Sequence, residues 1–226
     1  MFELKELNLT AQESTNQKTA TNGLADDTPM LKDNIVISNY LCSSHKRMFD
    51  LVFSLLSLPL LLPLTGLSAL FVLLTMGMPV MFKQKRVGKN GKVFLIYKLR
   101  TLKRKSTSYD GLFHSNGDIT PLGKLLRIFR FDEFPQLINI FKGEMSWVGP
   151  RPEVPYYVEK YSKLNEKFSE RHQALPGITG LAQVENPNAT PHENLDKLVY
   201  DLEYIEKASL GMDLKIVFNT FFLLWK

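Results

Sequence analysis

The chain has 226 residues, of which 44% are hydrophobic and 23% charged, and its formal net charge is +5. A basic protein of this kind favours anionic partners such as phosphates, acidic lipid heads or nucleic acid. Its single cysteine, Cys42, excludes an internal disulfide framework and a cysteine-rich metal site.

The first part of the chain is polar. Over about the first 35 residues it is rich in Thr, Asn, Gln, Asp and Glu, with scattered Leu. Such a segment buries too little apolar surface to offset the entropy that it loses on ordering. We therefore predict a disordered polar tail over residues 1–45.

A long uncharged run follows, from Leu51 to Phe82. An uncharged run of more than about 18 residues is typical of a membrane segment. Basic residues flank this run on both sides: Lys46, Arg47, Lys83, Lys85, Arg86, Lys89 and Lys92. Because basic flanks mark the cytoplasmic side of a membrane segment, both ends are predicted to lie on that side.

Two prolines, Pro59 and Pro63, interrupt the run. A helix over Leu51–Leu62 would be roughly 18 Å long and one over Leu64–Met78 roughly 22 Å, so neither alone crosses a hydrocarbon core of about 30 Å. Proline removes a backbone donor and bends helices. We predict a re-entrant membrane helix over residues 46–82, bent at the prolines. The alternative is one kinked helix that spans the membrane.

The region after the uncharged run is strongly basic. Lys83–Lys105 holds ten Lys and Arg residues, which suit either acidic lipid heads or the pyrophosphate of a substrate. We expect no nucleic-acid partner, because no nucleic-acid-binding motif accompanies the run. Lys98 and Arg100 directly follow a predicted strand, Val93–Tyr97, and are candidates for binding a phosphate.

Two helix starts are predicted further on. The first has Thr120 as its cap and a proline in its first turn. The second begins near Asp132, which is predicted to occupy the capping position, and this places Pro135 where a missing backbone donor costs little. The helix dipole would favour ionised Asp132 and Glu133. A carboxylate held ionised there, with Arg127 and Arg130 within reach, is typical of a nucleophile or a metal ligand. The alternative is that Asp132 only caps the helix.

Two loop segments downstream suit phosphate binding. Gly149–Pro152 reads Gly-Pro-Arg-Pro, a stiff stretch that would hold the guanidinium of Arg151 in one place. The planar fork of arginine pairs with two phosphate oxygens at once. The glycine-rich stretch Leu175–Val184 offers backbone N–H groups that could also approach a phosphate.

Six ordered motifs lie between residues 46 and 226: Lys46-Arg47-x-Phe-Asp50, Tyr97-Lys98-x-Arg100-Thr101, Asp132-Glu133-x-Pro135-Gln136, Gly149-Pro-Arg151-Pro152, Pro176-Gly-Ile-Thr-Gly180-x-Ala-Gln183 and Met212-Asp213-Leu-Lys215. Together they resemble the monotopic bacterial phosphoglycosyl transferases, also called bacterial sugar transferases. The resemblance covers nearly everything but the polar tail.

The resemblance implies a reaction. Such enzymes move a sugar-1-phosphate from a UDP-sugar onto a polyprenyl phosphate and release UMP, which starts exopolysaccharide, capsule, O-antigen or glycan assembly. In the family the Asp of the Asp-Glu pair forms a covalent phosphosugar intermediate. That role would fall on Asp132, assisted by Glu133 and by Mg²⁺, for which Asp132 is also the candidate ligand. The candidates for binding substrate phosphate are Lys98, Arg100, Arg127 and Arg151.

The resemblance also implies a re-entrant helix bent at a Ser-Pro pair, with the catalytic domain on the cytoplasmic face of the bacterial inner membrane. This chain departs from the pattern, because Leu62 precedes Pro63. Ser57, Thr65 or the second proline, Pro59, would compensate. A further departure is Leu-Ala-Gln-Val-Glu-Asn, starting at residue 181, where many members have Trp-Ala-Gln-Val-Asn-Gly.

The last segment, Leu210–Trp225, contains Asp213 and Lys215 and is too short and mixed to span a bilayer. We predict an interfacial helix with Trp225 at the level of the headgroups. An ordinary core helix is the alternative.

The predicted fold class is α/β and helix-rich, with amphipathic interfacial helices and a small strand element. A cytoplasmic transferase domain over residues 83–226 follows the membrane segment. The expected partners are a UDP-sugar, a polyprenyl phosphate, membrane lipid and other glycan-assembly enzymes. A non-catalytic membrane adaptor is the alternative function, although lipid adhesion requires none of the six motifs. A nucleotide-sugar pyrophosphatase without a lipid acceptor is a third.

Overall fold

The computed structural model of the chain describes residues 35–103, 119–187 and 194–223. Most of the predicted polar tail lies outside these residues, but its last part is folded and includes helix α1 (Asn39–Cys42). Ser38 ties this part to the rest, since its N–H donates to the carbonyl of Ile205 at 2.9 Å and its hydroxyl to that of Ala208 at 2.6 Å. The folded unit therefore begins before the predicted boundary at residue 45.

The uncharged run forms one continuous helix, α2 (Ser44–Met76), with Pro59 and Pro63 inside it. The predicted division into two helices at the prolines is not observed. Proline fixes φ near its helical value, so each ring removes a donor without ending the helix. The hydroxyl of Thr65 donates to the carbonyl of Leu61 at 2.6 Å, a contact that bends helices slightly. By length and composition alone, α2 could cross a membrane.

An antiparallel hairpin follows α2. It pairs β1 (Met81–Val87) with β2 (Val93–Leu99) through a tight turn. β2 is longer than the predicted strand and includes Lys98, which pairs in register with Phe82. Both side chains therefore lie on the same face of the hairpin.

The region that carries the Asp-Glu pair begins with α3 (Pro121–Ile128). The predicted cap is confirmed, because Thr120 Oγ1 accepts from the N–H of Gly123 at 3.0 Å. Arg130 then adopts a left-handed conformation, with φ of 55°, and starts a short 3₁₀ helix over Phe131–Gln136. The prediction that Asp132 caps this helix is wrong, because Arg130 occupies the cap position and Asp132 lies inside the first turn.

The remaining elements complete a helix-rich fold with a second small sheet. They are α4 (Leu137–Lys142), β3 (Ser146–Val148), α5 (Pro155–Leu164), a 3₁₀ helix (Glu166–Gln173), β4 (Gly177–Thr179), α6 (Leu181–Glu185), α7 (Asn194–Lys207) and α8 (Leu210–Leu223). β3 and β4 are parallel. Trp225 lies outside the described residues, but Leu214, Phe218 and Phe222 are exposed on α8, as an interfacial helix requires.

The first half of α2 packs on the globular part of the chain. Its Leu61 belongs to a cluster of buried side chains together with Phe94, Ile96, Leu137, Ile140 and Met145. These residues come from the hairpin, from α4 and from the segment after it. The core therefore fixes α2 directly against the elements that carry Lys98 and the Asp-Glu pair.

A buried polar network joins the start of α2 to α8. Lys46 Nζ lies 2.6 Å from Asp213 Oδ2 and donates to the carbonyl of Val148 at 3.0 Å. Tyr204 also donates to Asp213, at 2.8 Å. Lys46 is 4% exposed and Asp213 is fully buried, so each charge depends on the other.

We expect Lys46→Met to lower the free energy of unfolding by about 3–5 kcal/mol, because it leaves a buried carboxylate without its cation. The double variant Lys46→Met/Asp213→Asn should lose less free energy of unfolding than the two single variants lose in sum. Denaturant unfolding in detergent measures both, with the exposed Lys85 changed to Met as the matched control. Strictly additive losses would show that the pair is not coupled.

Candidate active site

A cavity of about 760 Å³ is lined by the hairpin, the end of α3, the Gly-Pro-Arg-Pro segment and α6. Among the described residues, its charged lining consists of eight basic and two acidic side chains: Arg86, Lys98, Arg100, Lys103, Arg127, Arg130, Arg151 and Lys197, with Asp132 and Glu133. Such an excess of cations attracts a ligand with several negative charges. Motifs that are far apart in the sequence therefore meet in one cavity.

Glu133 is fixed by two of these cations. Its Oε1 accepts from Lys98 Nζ at 2.7 Å and from Arg151 Nη2 at 2.9 Å. Burial alone would raise the pKa of Glu133, but Arg151 and Lys98 hold it well below its usual range. Glu133 is thus an ionised anchor that positions both cations on the cavity wall. Among the described residues, its Oε2 has no hydrogen-bond partner.

The neighbouring Asp132 is in a different state. It is 7% exposed, and within the described parts of the chain its carboxylate has no hydrogen bond or ion pair. Burial and the charge of Glu133 raise the pKa of Asp132 to about 6, against the opposing effect of Lys98, Arg127 and Arg151. Burial and the charge of Glu133 therefore outweigh the predicted stabilisation of ionised Asp132 by a helix dipole. Its oxygens are available for chemistry.

The raised pKa has a consequence for stability. A carboxyl group whose pKa is higher in the folded protein stabilises the fold below its unfolded pKa of about 4, and that stabilisation is lost as the pH rises through about 6. Above pH 6, ionised Asp132 costs on the order of 3 kcal/mol. We expect Asp132→Asn to melt several degrees higher than the unsubstituted protein at pH 8, with no difference near pH 4.

Thermal unfolding at the two pH values tests this expectation. The matched control is Asp196→Asn, since Asp196 is exposed on α7. This substitution should leave the melting temperature almost unchanged at both pH values. If Asp132→Asn and the unsubstituted protein had the same melting temperature at pH 8, ionised Asp132 would not destabilise the fold.

The segment that carries Arg151 is held through its backbone. Five elements contribute hydrogen bonds to five consecutive residues. Lys46 and Tyr204 donate to the carbonyl of Val148, Gly149 donates to the carbonyl of Thr179, and Gly177, Arg171 and Arg86 donate to the carbonyls of Pro150, Arg151 and Pro152. The guanidinium of Arg151 is thus positioned from several directions. A residue held this way loses little entropy when it binds a ligand.

The glycine-rich stretch packs against this segment. A Cβ atom on Gly149 would overlap the carbonyl of Leu175, and one on Gly177 would overlap the backbone of Gly149. The N–H of Gly177 already donates to Pro150. The prediction that this stretch offers its backbone donors to a phosphate therefore fails at Gly177, whose role is to support the Arg151 segment.

The predicted phosphate-binding residues all line the cavity, but they differ in their contacts. Lys98 and Arg151 bind Glu133, and Arg127 Nε donates to Thr101 Oγ1 at 3.0 Å. Arg100 donates from Nη2 to the carbonyls of Met76 and Gly77 at the end of α2. Arg100 therefore also holds the end of α2, a contact that its motif did not indicate.

Arg130, expected within reach of Asp132, lines the cavity, but sequence reasoning missed three other cations as site residues: Arg86, Lys103 and Lys197. Arg86 lies two positions after Gln84 on the lining face of β1, so strand alternation starting from Phe82 was the signal that would have found it. Lys197 comes from α7, about 100 residues after Lys98, and no local pattern indicated that this helix reaches the cavity.

The Asp-Glu pair also suits the expected Mg²⁺. Within residues 35–103, 119–187 and 194–223 there is no cluster of three or more His, Cys, Asp or Glu that would hold a metal by itself. Mg²⁺ is commonly bound by one or two carboxylates together with substrate phosphates and water. Asp132 and the unpartnered Oε2 of Glu133 are oxygen donors of the required kind.

Comparison with known sequences gives a consistent result. The family model described as "Bacterial sugar transferase" matches residues 41–226. The chain is 38% identical over 178 residues to the UDP-N-acetylgalactosamine-undecaprenyl-phosphate N-acetylgalactosaminephosphotransferase of Aeromonas hydrophila. That match covers 77% of this chain and 42% of the relative, so this chain spans less than half of that protein.

Two other relatives match over more of their own length. The UDP-glucose:undecaprenyl-phosphate glucose-1-phosphate transferase of Caulobacter vibrioides is 39% identical, over 78% of this chain and 68% of the relative. The exopolysaccharide production protein PSS of Rhizobium leguminosarum is 36% identical, over 77% of this chain and 92% of the relative. The family-model match over residues 41–226 includes every residue that lines the cavity.

Proposed function

The chain belongs to the bacterial sugar transferase family, and we propose that it transfers a sugar-1-phosphate from a UDP-sugar to undecaprenyl phosphate and releases UMP. The observation that carries the proposal is a buried Asp132 that has no hydrogen bond or ion pair among the described residues and lies in a cavity lined by cations. The names of the relatives support the two substrates. One relative's name supports a role in exopolysaccharide production.

In the first half-reaction a carboxylate oxygen of Asp132 attacks the sugar-bearing phosphorus of the UDP-sugar. A bond forms between this oxygen and phosphorus, and the bond from that phosphorus to the bridging oxygen breaks, so that UMP leaves with the electron pair. Arg151 and Lys98, held by Glu133, lie where they neutralise the charge that moves onto the phosphate oxygens.

In the second half-reaction an oxygen of undecaprenyl phosphate attacks the same phosphorus. The bond to Asp132 breaks and its carboxylate is regenerated, while the sugar leaves on a lipid diphosphate. The two steps let one carboxylate serve a substrate from water and a substrate from lipid in turn. Mg²⁺, held by Asp132 and Glu133, would supply a Lewis acid for the phosphate oxygens.

We place this reaction at the cytoplasmic face of the bacterial inner membrane. The support is the apolar helix α2, whose two ends both contact the globular part of the chain, near Lys46 and near Arg100. The exposed apolar side of α8, with Phe218 and Phe222, would lie in the interface next to it. Enzymes that extend the glycan at the same membrane are the expected protein partners.

One assay tests the proposed function. The purified protein is incubated with undecaprenyl phosphate, Mg²⁺ and one member of a panel of UDP-sugars that includes UDP-glucose and UDP-N-acetylgalactosamine, and UMP is measured. We expect release that depends on the lipid for at least one sugar. Continuous release without lipid would favour a pyrophosphatase, and no release with any member of a full panel would favour a membrane adaptor.

A further inference from the structure

The cations of the cavity differ in whether protein groups already use their donors. At least five of them donate a hydrogen bond to another described residue: Arg86, Lys98, Arg100, Arg127 and Arg151. Arg130 differs from these five. Among the described residues its guanidinium makes no hydrogen bond and no ion pair, so all of its donors remain for a ligand.

The guanidinium of Arg130 can also be reached from the cavity. Its side chain lines the cavity, and the residue is only partly buried. In contrast to Nε and Nη1 of Arg100, none of its nitrogens is a buried atom without a partner. The planar fork of arginine binds two oxygens of one phosphate at once. Arg130 therefore offers such a fork to an anion in the cavity.

The backbone of Arg130 is held in an unfavourable conformation. Its φ of 55° and ψ of 21° are left-handed, a region that glycine adopts easily and that residues with a Cβ atom disfavour. Glycine would suit this turn better, so the turn itself does not explain an arginine there. Strained residues of this kind cluster at functional sites, which directs attention to the side chain.

The turn at Arg130 leads directly into Asp132. The N–H of Glu133 donates to the carbonyl of Arg130 at 3.1 Å, so the three residues belong to one tight turn. Cα atoms two residues apart are separated by at most about 7 Å, which an arginine side chain can bridge. Burial lowers the pKa of Arg130, while the charges of Glu133 and Asp132 oppose this effect. A phosphate bonded to Asp132 would therefore lie within reach of the guanidinium.

We infer that Arg130 binds the phosphate that is transferred, first in the UDP-sugar and then on Asp132. The inference rests on the proposed function and adds a substrate-binding residue to it. The same phosphorus is attacked in both half-reactions, so the guanidinium stabilises the charge on its oxygens in each of them. Arg130 keeps its protons throughout and forms no covalent bond.

Two substitutions separate the side chain from the turn. Arg130→Gly removes the guanidinium and relaxes the backbone, whereas Arg130→Lys keeps the charge without the planar fork. Loading from UDP-sugar without lipid is followed by intact mass. Discharge is followed after the nucleotide is removed and undecaprenyl phosphate in detergent is added. We expect both half-reactions to slow by similar factors, roughly 100-fold in Arg130→Gly and roughly tenfold in Arg130→Lys.

Asn90→Gly is the matched control. Asn90 is also left-handed, with φ of 56°, but it is exposed in the hairpin turn and lies outside the cavity lining. Loading and discharge should both be normal in this variant. Arg130→Gly should melt at least as high as the unsubstituted protein, because glycine suits the left-handed turn. If Arg130→Gly does not fold, Arg130→Asn provides the same test, since asparagine also tolerates this conformation.

The outcomes distinguish this inference from the proposed function. Normal loading and discharge by Arg130→Gly would overturn the inference and leave the proposed function standing. Slowing of one half-reaction alone would also overturn it, because Arg130 would then contact the leaving nucleotide or the lipid. If no adduct accumulates in the unsubstituted protein, UMP release with lipid present should show the same losses. No UMP release by the unsubstituted protein with any UDP-sugar would contradict the proposed function itself.

Discussion

Asp132→Asn is expected to abolish covalent loading and to reduce turnover by roughly 10⁴-fold or more, while the protein stays folded. An amide has nearly the same shape as a carboxylate but no nucleophilic charge. Among the described residues, Asp132 makes no hydrogen bond that the change would break. The loss should therefore lie in the chemistry, and the higher melting temperature expected at pH 8 would exclude unfolding as its cause.

Intact mass after incubation with UDP-sugar and Mg²⁺, without lipid, measures the loading. The unsubstituted protein should gain the mass of one sugar phosphate and release one equivalent of UMP. Asp196→Asn, at an exposed position of α7, should behave in the same way. Near-normal turnover by Asp132→Asn would show that the covalent mechanism is wrong for this chain.

The motifs predicted the composition of the candidate site better than its local geometry. The sequence indicated that Lys98, Asp132, Glu133 and Arg151 act on one phosphate, and the structure brings their side chains into one cavity. The helix cap was predicted at the wrong residue, because the left-handed turn at Arg130 is uncommon for a residue other than glycine. Local pattern does not indicate such a turn.

Long-range pairs were the least predictable part. Lys46 and Asp213 belong to the first and last motifs, and nothing in their spacing indicated that they form one buried ion pair at 2.6 Å. The same is true of Arg171, whose contact with Asp201 at 2.7 Å accompanies its bond to the carbonyl of Arg151. Such contacts are set by tertiary packing, which hydrophobic periodicity and secondary-structure propensity do not describe.

The long apolar helix α2 shows how a sequence pattern can leave membrane topology open. Proline and basic flanks suggested a re-entrant segment, yet α2 is one continuous helix of 33 residues, about 50 Å if straight. The stronger argument about the topology of α2 comes from the contacts at its two ends. Arg47 donates to the carbonyls of Ile140 and Phe141 near the start, and Arg100 binds the carbonyls at the end.

Both ends of α2 are therefore expected to face the cytoplasm, because one folded unit holds them and cannot lie on two sides of a bilayer. Cysteine labelling tests this, using the native Cys42, which is exposed, and Lys89→Cys in the hairpin turn of a Cys42→Ser background. A membrane-impermeant maleimide should modify each cysteine in inverted inner-membrane vesicles and neither in intact spheroplasts. Labelling of the two cysteines from opposite sides would show that α2 spans the membrane, and the contacts at one of its ends would then have to be absent in the cell.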